Sequence, residues 1–418
     1  MLGLVLTAGG ARGAYQAGVL KRVGEIPALQ DRPSPFQIVA GASAGAINGA
    51  ILAARSEHFG AATGEVARVW GELHVDRVFR TDLPSLALCA ASLARDFALG
   101  GLLGHTVTSG LLDTSPLEGF LESVFPPDGI RHAIERGHLY AVAVTATSYH
   151  SGRSYTFVQG RMGHPVWTKS RRVVLPATLT HRHILASGAI PIVFPPVQLA
   201  SAAGELWFGD GGLRLVAPMS PAIRLGSTHV FAVGVRSSLA ADTLARTEAG
   251  GEAPAGEPSQ RLPCPPLAQV CGVFLNAIFL DHLDADLDHL RRMNELVSAH
   301  HGMNGSTPAA EPMRQVTPFA VSPSEDLALV AQRFAHRMPR LLRYAIDGLG
   351  TPDAQSADLL SYLLFDSSYT RTLVDIGYRD ASERIGEIEG FLYAAGALSD
   401  AAQEPVFAEP APLFTLPS

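Results

Sequence analysis

The serine of Gly41-Ala42-Ser43-Ala44-Gly45 stands between an apolar run, Phe36 to Ala40, and a helix-forming run, Ala46 to Arg55. A hydroxyl on a tight strand-to-helix turn is presented as a nucleophile, because flanking glycines remove clashing side chains and the helix N-terminus favours developing negative charge. The same five residues also suit a turn with no chemistry, and a chain with 41 glycines holds many short glycine patterns. Position directly after a buried-type strand favours the nucleophile. A second turn, Ala8-Gly9-Gly10-Ala11-Arg12-Gly13, also joins a strand pattern to a helix pattern. It fails GxGxxG, because Ala11 stands two after Gly9, and it fails the P-loop, because no GK[ST] follows. Consecutive glycines there can aim backbone amides at an oxyanion, with Arg12 adding positive field, and they equally permit close packing. The third signal is Gly209-Asp210-Gly211-Gly212, after the strand-like Glu205 to Phe208. An aspartate among glycines is ordinarily a turn residue. Paired with a nucleophile it is also a base, since a carboxylate in a water-poor pocket can take a serine's proton.

The 15 histidines compete for that role. His181 and His183 form a His-x-His pair with no third ligand at a recognised metal spacing, so surface or packing roles are expected of them. An α/β-hydrolase orders its triad Ser, Asp, His, and His229 or a later histidine stands in that order. The acidic row Asp281, Asp284 and Asp288 lacks the EF-hand alternation and its turn glycine, which makes it a solvated helix face.

Chemistry shared among these turns needs a scaffold that gathers them at one edge. Gly3 to Thr7 is a short continuous apolar run, as in a strand covered on both faces, and Ala14 to Ile26 follows with helical spacing of Tyr15, Val19, Leu20 and Val23. Phe36 to Ala40 and Ala46 to Arg55 repeat the pair. This alternation predicts a three-layer α/β/α fold with a mainly parallel central sheet, whose ligands bind beyond the carboxyl ends of the strands. Ala61 to Leu121 reads as mainly helical, with an unusually apolar stretch from Leu83 to Leu102. Leu139 to Thr147 and Ser154 to Val158 read as strands around a Ser151-Gly152 turn, and Glu205 to Phe208 and His229 to Val235 as two more. Residues 238–266, rich in Ala, Gly, Pro, Glu and Ser, form a linker or long loop. Leu267 to Leu296 has the leucine spacing of a long amphipathic helix, and Val316 to Val321 reads as a strand. Ser322-Pro323-Ser324-Glu325 then has the pattern of a helix start with Ser322 as N-cap. The expected division is a core over 1–237, the linker over 238–266, a mainly helical extension over 267–398 that gives the core a strand, and a tail over 399–418.

Hydrophobic residues make up 47% and charged residues 17%, enough apolar surface to fold a globular chain. With 32 Lys+Arg against 39 Asp+Glu the net charge is −7, which argues against nucleic acid as a partner and leaves any membrane contact local and apolar. Three cysteines without a CxxC pair leave an odd thiol, which fits a reducing, cytoplasmic setting. The N-terminal run lacks a basic flank and breaks at Gly9-Gly10, so it reads as a mature strand and not as a secretion signal. Leu83 to Gly104 comes closest to a membrane span but carries Arg95 and Asp96.

In their order along the chain, Gly9-Gly10-Ala11-Arg12-Gly13, Gly41-Ala42-Ser43-Ala44-Gly45 and Asp210-Gly211-Gly212 resemble the three blocks of the patatin-like phospholipases. Ala186-Ser187-Gly188-Ala189-Ile190-Pro191 with Phe194-Pro195-Pro196 resembles that family's fourth block, the loop that shapes the site. The resemblance spans Leu2 to Val235, and the helical C-terminal third resembles extensions of bacterial members. One departure is Val216-Ala217-Pro218, where bacterial members often carry Asn before the Pro. The resemblance implies a patatin-like fold and a serine lipid acyl hydrolase of the phospholipase A or lysophospholipase type. In it Ser43 is the nucleophile, Asp210 the base, and Gly9, Gly10, Ala11, Arg12 and Gly13 the oxyanion hole. Gly41, Ala42, Ala44 and Gly45 form the nucleophile elbow, and Gly211, Gly212 and Pro191 shape the site. It implies a lipid substrate at a membrane or micelle surface and no metal or cofactor. A histidine-based esterase and a catalytically silent lipid-binding protein are the competing expectations.

Overall fold

The computed structural model describes residues 1–103, 110–169, 171–201, 204–237, 270, 273, 282–302, 314–347 and 357–398. In the first strand, β1 (Leu2–Leu6), Leu4 and Leu6 enter one hydrophobic core and Val5 enters another on the opposite face. A strand covered on both faces has no polar alternation, hence its unbroken apolar sequence. β2 (Ile38–Ala42) and β3 (Ala141–Ser148) behave alike, with Val39 and Val142 on the first face and Ile38, Ala40, Ala141 and Ala143 on the second.

The remaining strands are β4 (Ser154–Gly160), β5 (Thr168–Lys169), β6 (Arg172–Pro176), β7 (Val197–Ser201), β8 (Gly204–Gly209), β9 (His229–Val233) and β10 (Thr317–Val321). They form one sheet in the order β10-β9-β1-β2-β3-β4-β6-β5, with β8 attached to β3 and β7 to β8. The run from β10 to β3 is parallel throughout, and the hairpins β3–β4, β5–β6 and β7–β8 are antiparallel additions. The mainly parallel sheet matches the sequence pattern. β5, β6 and β7 lack a buried apolar run, so no such pattern marked them.

The helices are α1 (Gly13–Gly24), α2 (Ala44–Ala54), α3 (Phe59–Gly71), α4 (Leu83–Leu103), α5 (Ser115–Val124), α6 (Gly129–Glu135), α7 (His181–Ser187) and α8 (Ser220–Leu225). They continue with α9 (His282–Gly302), α10 (Leu327–Arg333), α11 (Arg340–Asp347), α12 (Ala357–Leu363), α13 (Ser367–Glu383) and α14 (Ile385–Ala394). α1, α2, α3 and α13 pack into the first core, while α8 and α9 bring Ala222, Leu225, Leu283 and Leu287 to the second, which completes three layers. Among the described residues no helix is long and apolar enough to cross a membrane.

The C-terminal helices are built into the first core. A Cβ on Gly18 of α1 would lie 1.9 Å from the Val374 carbonyl oxygen, and one on Gly377 of α13 would lie 2.1 Å from that of Tyr15. Only glycine allows such backbone approach. The Tyr15 hydroxyl donates across this contact to Asp380 at 3.0 Å. The same carboxylate explains why Ser322 does not cap a helix. Ser324 N and Oγ donate to Asp380 at 2.9 and 2.6 Å, and α10 starts only after Asp326, which accepts from Ala328 N at 2.8 Å. A long-range carboxylate takes the Ser324 amide, a donor that a Ser322 cap would have accepted. Residues 238–266 and 399–418 lie outside the described residues, as does most of 267–281.

Candidate active site

Ser43 follows the last residue of β2 and precedes the first of α2, so the chain turns from strand to helix at one residue. It does so at φ 54° and ψ −125°, and Ser43 and Ile192 are the two non-glycine residues at positive φ among the described ones. Such a backbone costs about 1–3 kcal/mol and persists only where the surroundings impose it. They do so here by crowding. A Cβ on Gly41 would lie 2.3 Å from the Gly45 carbonyl oxygen, and one on Gly45 would lie 2.2 Å from that of Leu6. Ser43 N donates to Ser187 Oγ at 2.9 Å, and that hydroxyl donates to the Thr145 carbonyl at 2.6 Å. The Ser43 turn is thereby tied to β3.

Asp210 follows β8 and is fully buried. β3 is the bridge, since it pairs with β2 from Ala141 to Thr145 and with β8 at Thr147 and Ser148. Asp210 N donates to the Ala189 carbonyl at 2.8 Å, and Thr147 Oγ1 donates to the Asp210 carbonyl at 2.9 Å. Its Oδ1 accepts from Gly212 N at 2.7 Å, while Oδ2 has no hydrogen bond of ordinary geometry. Burial pushes the carboxyl up to about 7, against the opposing pull of the Ser43 hydroxyl and the Gly212 amide. Gly211 allows this meeting, because a Cβ there would lie 2.0 Å from the Thr145 carbonyl oxygen and 3.3 Å from Ala42 Cβ. A carboxyl poised near neutrality beside a serine is suited to accept and return its proton.

The Gly9–Gly13 turn lies against the same helix start: a Cβ on Gly13 would stand 2.5 Å from Ala44 Cβ. Gly10 adopts φ 55°, which favours glycine. Buried polar side chains hold this turn from behind. Asn48 Nδ2 donates to the Gly13 carbonyl and to Gln16 Oε1, both at 3.0 Å, and Gln16 Nε2 donates to the Thr7 and Val233 carbonyls at 2.9 and 3.1 Å. Sequence reading passed over Asn48 and Gln16, whose signal was a polar residue on an otherwise apolar helix. The Arg12 guanidinium reaches α12, where Nε donates to Ser361 Oγ and Nη2 to Asp358 Oδ1, each at 2.7 Å.

Pro191 sits in a turn closed by Phe194 N donating to the Ile190 carbonyl at 2.8 Å. The loop runs beside an open cleft of about 580 Å³ lined by Leu88 and Cys89 of α4 with Leu112, Asp113 and Pro195. Leu83 and Leu88 of α4 are 64% and 72% exposed. Tyr149, absent from the sequence reading, lays its hydroxyl over Gly209, and burial with the Asp210 charge pushes the phenol up to about 12.

The histidines stand elsewhere. His183 Nδ1 pairs with the Thr180 hydroxyl, its ring meets Phe157, and burial lowers it to about 4. His181 faces Glu118 at 3.9 Å. His229 opens β9 opposite Leu2, at the end of the sheet away from Ser43. Among the described residues no histidine hydrogen-bonds to Ser43 or Asp210.

A sequence model of the patatin-like phospholipases matches residues 4–223. No curated protein sequence matches the chain. Among solved structures it is similar to VipD from Legionella pneumophila, at 13% identity and TM-score 0.26, covering 89% of this chain and 66% of that one. It is similar to human GIVD cytosolic phospholipase A2 in complex with methyl gamma-linolenyl fluorophosphonate, at 15% identity and TM-score 0.42, covering 96% and 60%. The type III effector protein ExoU is similar at 15% identity and TM-score 0.24, covering 86% and 76%.

Proposed function

The chain belongs to the patatin-like phospholipase family, and on that premise we propose that it is a serine lipid acyl hydrolase acting through a Ser43–Asp210 dyad and an acyl-enzyme. The observation that carries this reading is a fully buried carboxyl, raised to about 7, beside a serine on a strained turn. Ser43 Oγ attacks the carbonyl carbon of a fatty-acyl ester while Asp210 takes its proton. Amides of the Gly9–Gly13 turn receive the oxyanion, a role in which one lost donor costs about 10² to 10³ in rate. Collapse of the tetrahedral intermediate expels the alcohol, which takes the proton back from Asp210. Water then attacks the acyl-enzyme with Asp210 again as base, releasing the fatty acid and restoring Ser43.

The cleft of about 580 Å³ beside Pro195 is within the size range of small-molecule sites. Exposed Leu83 and Leu88 support work at a lipid surface, where apolar contact suits a chain of net charge −7. The test is labelling with a fluorophosphonate, mapping of the adduct by mass spectrometry, and hydrolysis of a panel of phospholipids, lysophospholipids, acylglycerols and short p-nitrophenyl esters. A single adduct on Ser43 and turnover lost in Asp210→Asn are expected. An adduct on another serine, or lipid binding without turnover, overturns the reading.

A further inference from the structure

The glycine-rich turn is gripped by a helix outside the family-matched segment. Residues 4–223 contain Ser43, Asp210 and the turn, whereas Asp358, Ser361 and Tyr362 belong to α12. Arg12 is 3% exposed, and its two hydrogen bonds to Asp358 and Ser361 span 346 and 349 residues of chain. Ser361 Oγ donates in turn to the Asp358 carbonyl at 2.6 Å, which leaves its lone pairs for Arg12. The guanidinium carbon lies 4.6 Å from the centre of the Tyr362 ring. Two residues earlier, a Cβ on Gly10 would stand 2.6 Å from the Tyr362 carbonyl oxygen. One helix therefore touches both the side chain and the backbone of the turn.

A buried guanidinium destabilises unless its charge is matched, so Arg12 goes where Asp358 holds it. Amides that receive an oxyanion tolerate little displacement, and a shift of about 1 Å costs roughly 10²-fold in rate. We propose that Asp358 is a positioning residue: acting through Arg12, with Ser361 beside it, it fixes the Gly9–Gly13 turn in the geometry that receives the oxyanion. α12 then completes the site from the far end of the chain. This rests on the Ser43–Asp210 reading above.

The experiment uses the full chain with Asp358→Asn, Asp358→Ala, Asp358→Glu, Arg12→Gln and the double variant Arg12→Gln/Asp358→Asn. Readouts are kcat and KM on a soluble ester, the rate of fluorophosphonate labelling at Ser43, and the thermal midpoint. Asp358→Ala is expected to lower kcat and labelling roughly tenfold or more and to leave KM within about twofold. Asp358→Glu restores part of the loss. Asp358→Asn, which keeps shape and an acceptor but no charge, lowers the thermal midpoint less than Asp358→Ala does and still loses rate. The double variant loses no more than its worse single parent, because both substitutions break one linkage. Labelling of Asp358→Ala at the wild-type rate, additive losses in the double variant, or rate losses that only follow the thermal midpoint overturn the proposal. A wild-type adduct on a residue other than Ser43 overturns the dyad reading and this one with it.

Discussion

Asp210→Asn separates the stability of this protein from its chemistry. The carboxyl rises from 3.8 to about 7 on folding, roughly three units at about 1.4 kcal/mol each, or about 4 kcal/mol. Between those values the folded chain holds a proton that the unfolded chain has released. The contribution of this group to stability is therefore full below about pH 4, falls as pH rises, and is lost above about pH 7. Asparagine has the same shape, keeps an acceptor for Gly212 N, and has no charge to desolvate. Its amide nitrogen replaces Oδ2, which has no hydrogen bond of ordinary geometry in the native chain, and a buried donor left unpaired costs about 1–3 kcal/mol. The net expectation is a variant about 1–3 kcal/mol more stable than wild type at pH 8. About two of the three units fall between pH 5 and pH 7, so the advantage should widen by roughly 3 kcal/mol from pH 5 to pH 8. For a chain of this size that is about 3 °C in thermal midpoint. Above about pH 7 turnover falls by roughly 10²-fold or more, the scale of general-base catalysis, and the gap narrows as pH drops and the wild-type carboxyl takes up its proton. The wild-type kcat/KM should rise with pH through a midpoint near 7 that the variant lacks. A midpoint difference that is the same at pH 5 and pH 8 would refute a desolvated Asp210, and near-normal turnover would refute its role as base.

Ser43→Ala should abolish fluorophosphonate labelling and ester hydrolysis, and Ser43→Gly should be more stable than Ser43→Ala by about 1 kcal/mol, because only glycine occupies φ 54° without strain; equal midpoints for the two would count against the strained turn. Gly10→Ala should lower both activity and thermal midpoint, since its Cβ meets the Tyr362 carbonyl at 2.6 Å and φ is 55°; a stable variant with full labelling rate would show that the turn tolerates the shift. Leu83→Ser with Leu88→Ser should reduce hydrolysis of phospholipid vesicles several-fold while sparing a short soluble ester and the thermal midpoint, because both side chains are largely exposed. A parallel fall on both substrates would assign α4 to the fold and remove it from the lipid surface.

The sequence by itself determined what depends on neighbours a few residues away. Gly41, Ser43 and Gly45 specify a tight strand-to-helix turn, Gly9 and Gly10 a second one, and the unbroken apolar run of β1 a strand covered on both faces, because steric limits and burial act on these residues directly. The serine, the aspartate and the glycine-rich turn were therefore legible as candidates. Tertiary structure decided which of them meet. Asp210 comes to Ser43 because β3 pairs with both β2 and β8, and its carboxyl is raised because that junction excludes water. The Ser322 cap failed for the same kind of reason, since Asp380 arrives from α13 to take the donors of Ser324. Arg12, read from its turn alone, belongs to an oxyanion site, and only the packing of α12 against that turn gives its guanidinium to Asp358. Short-range sterics are written in the order of residues, whereas partners separated by hundreds of residues are chosen by strand order and by the need to pair each buried charge.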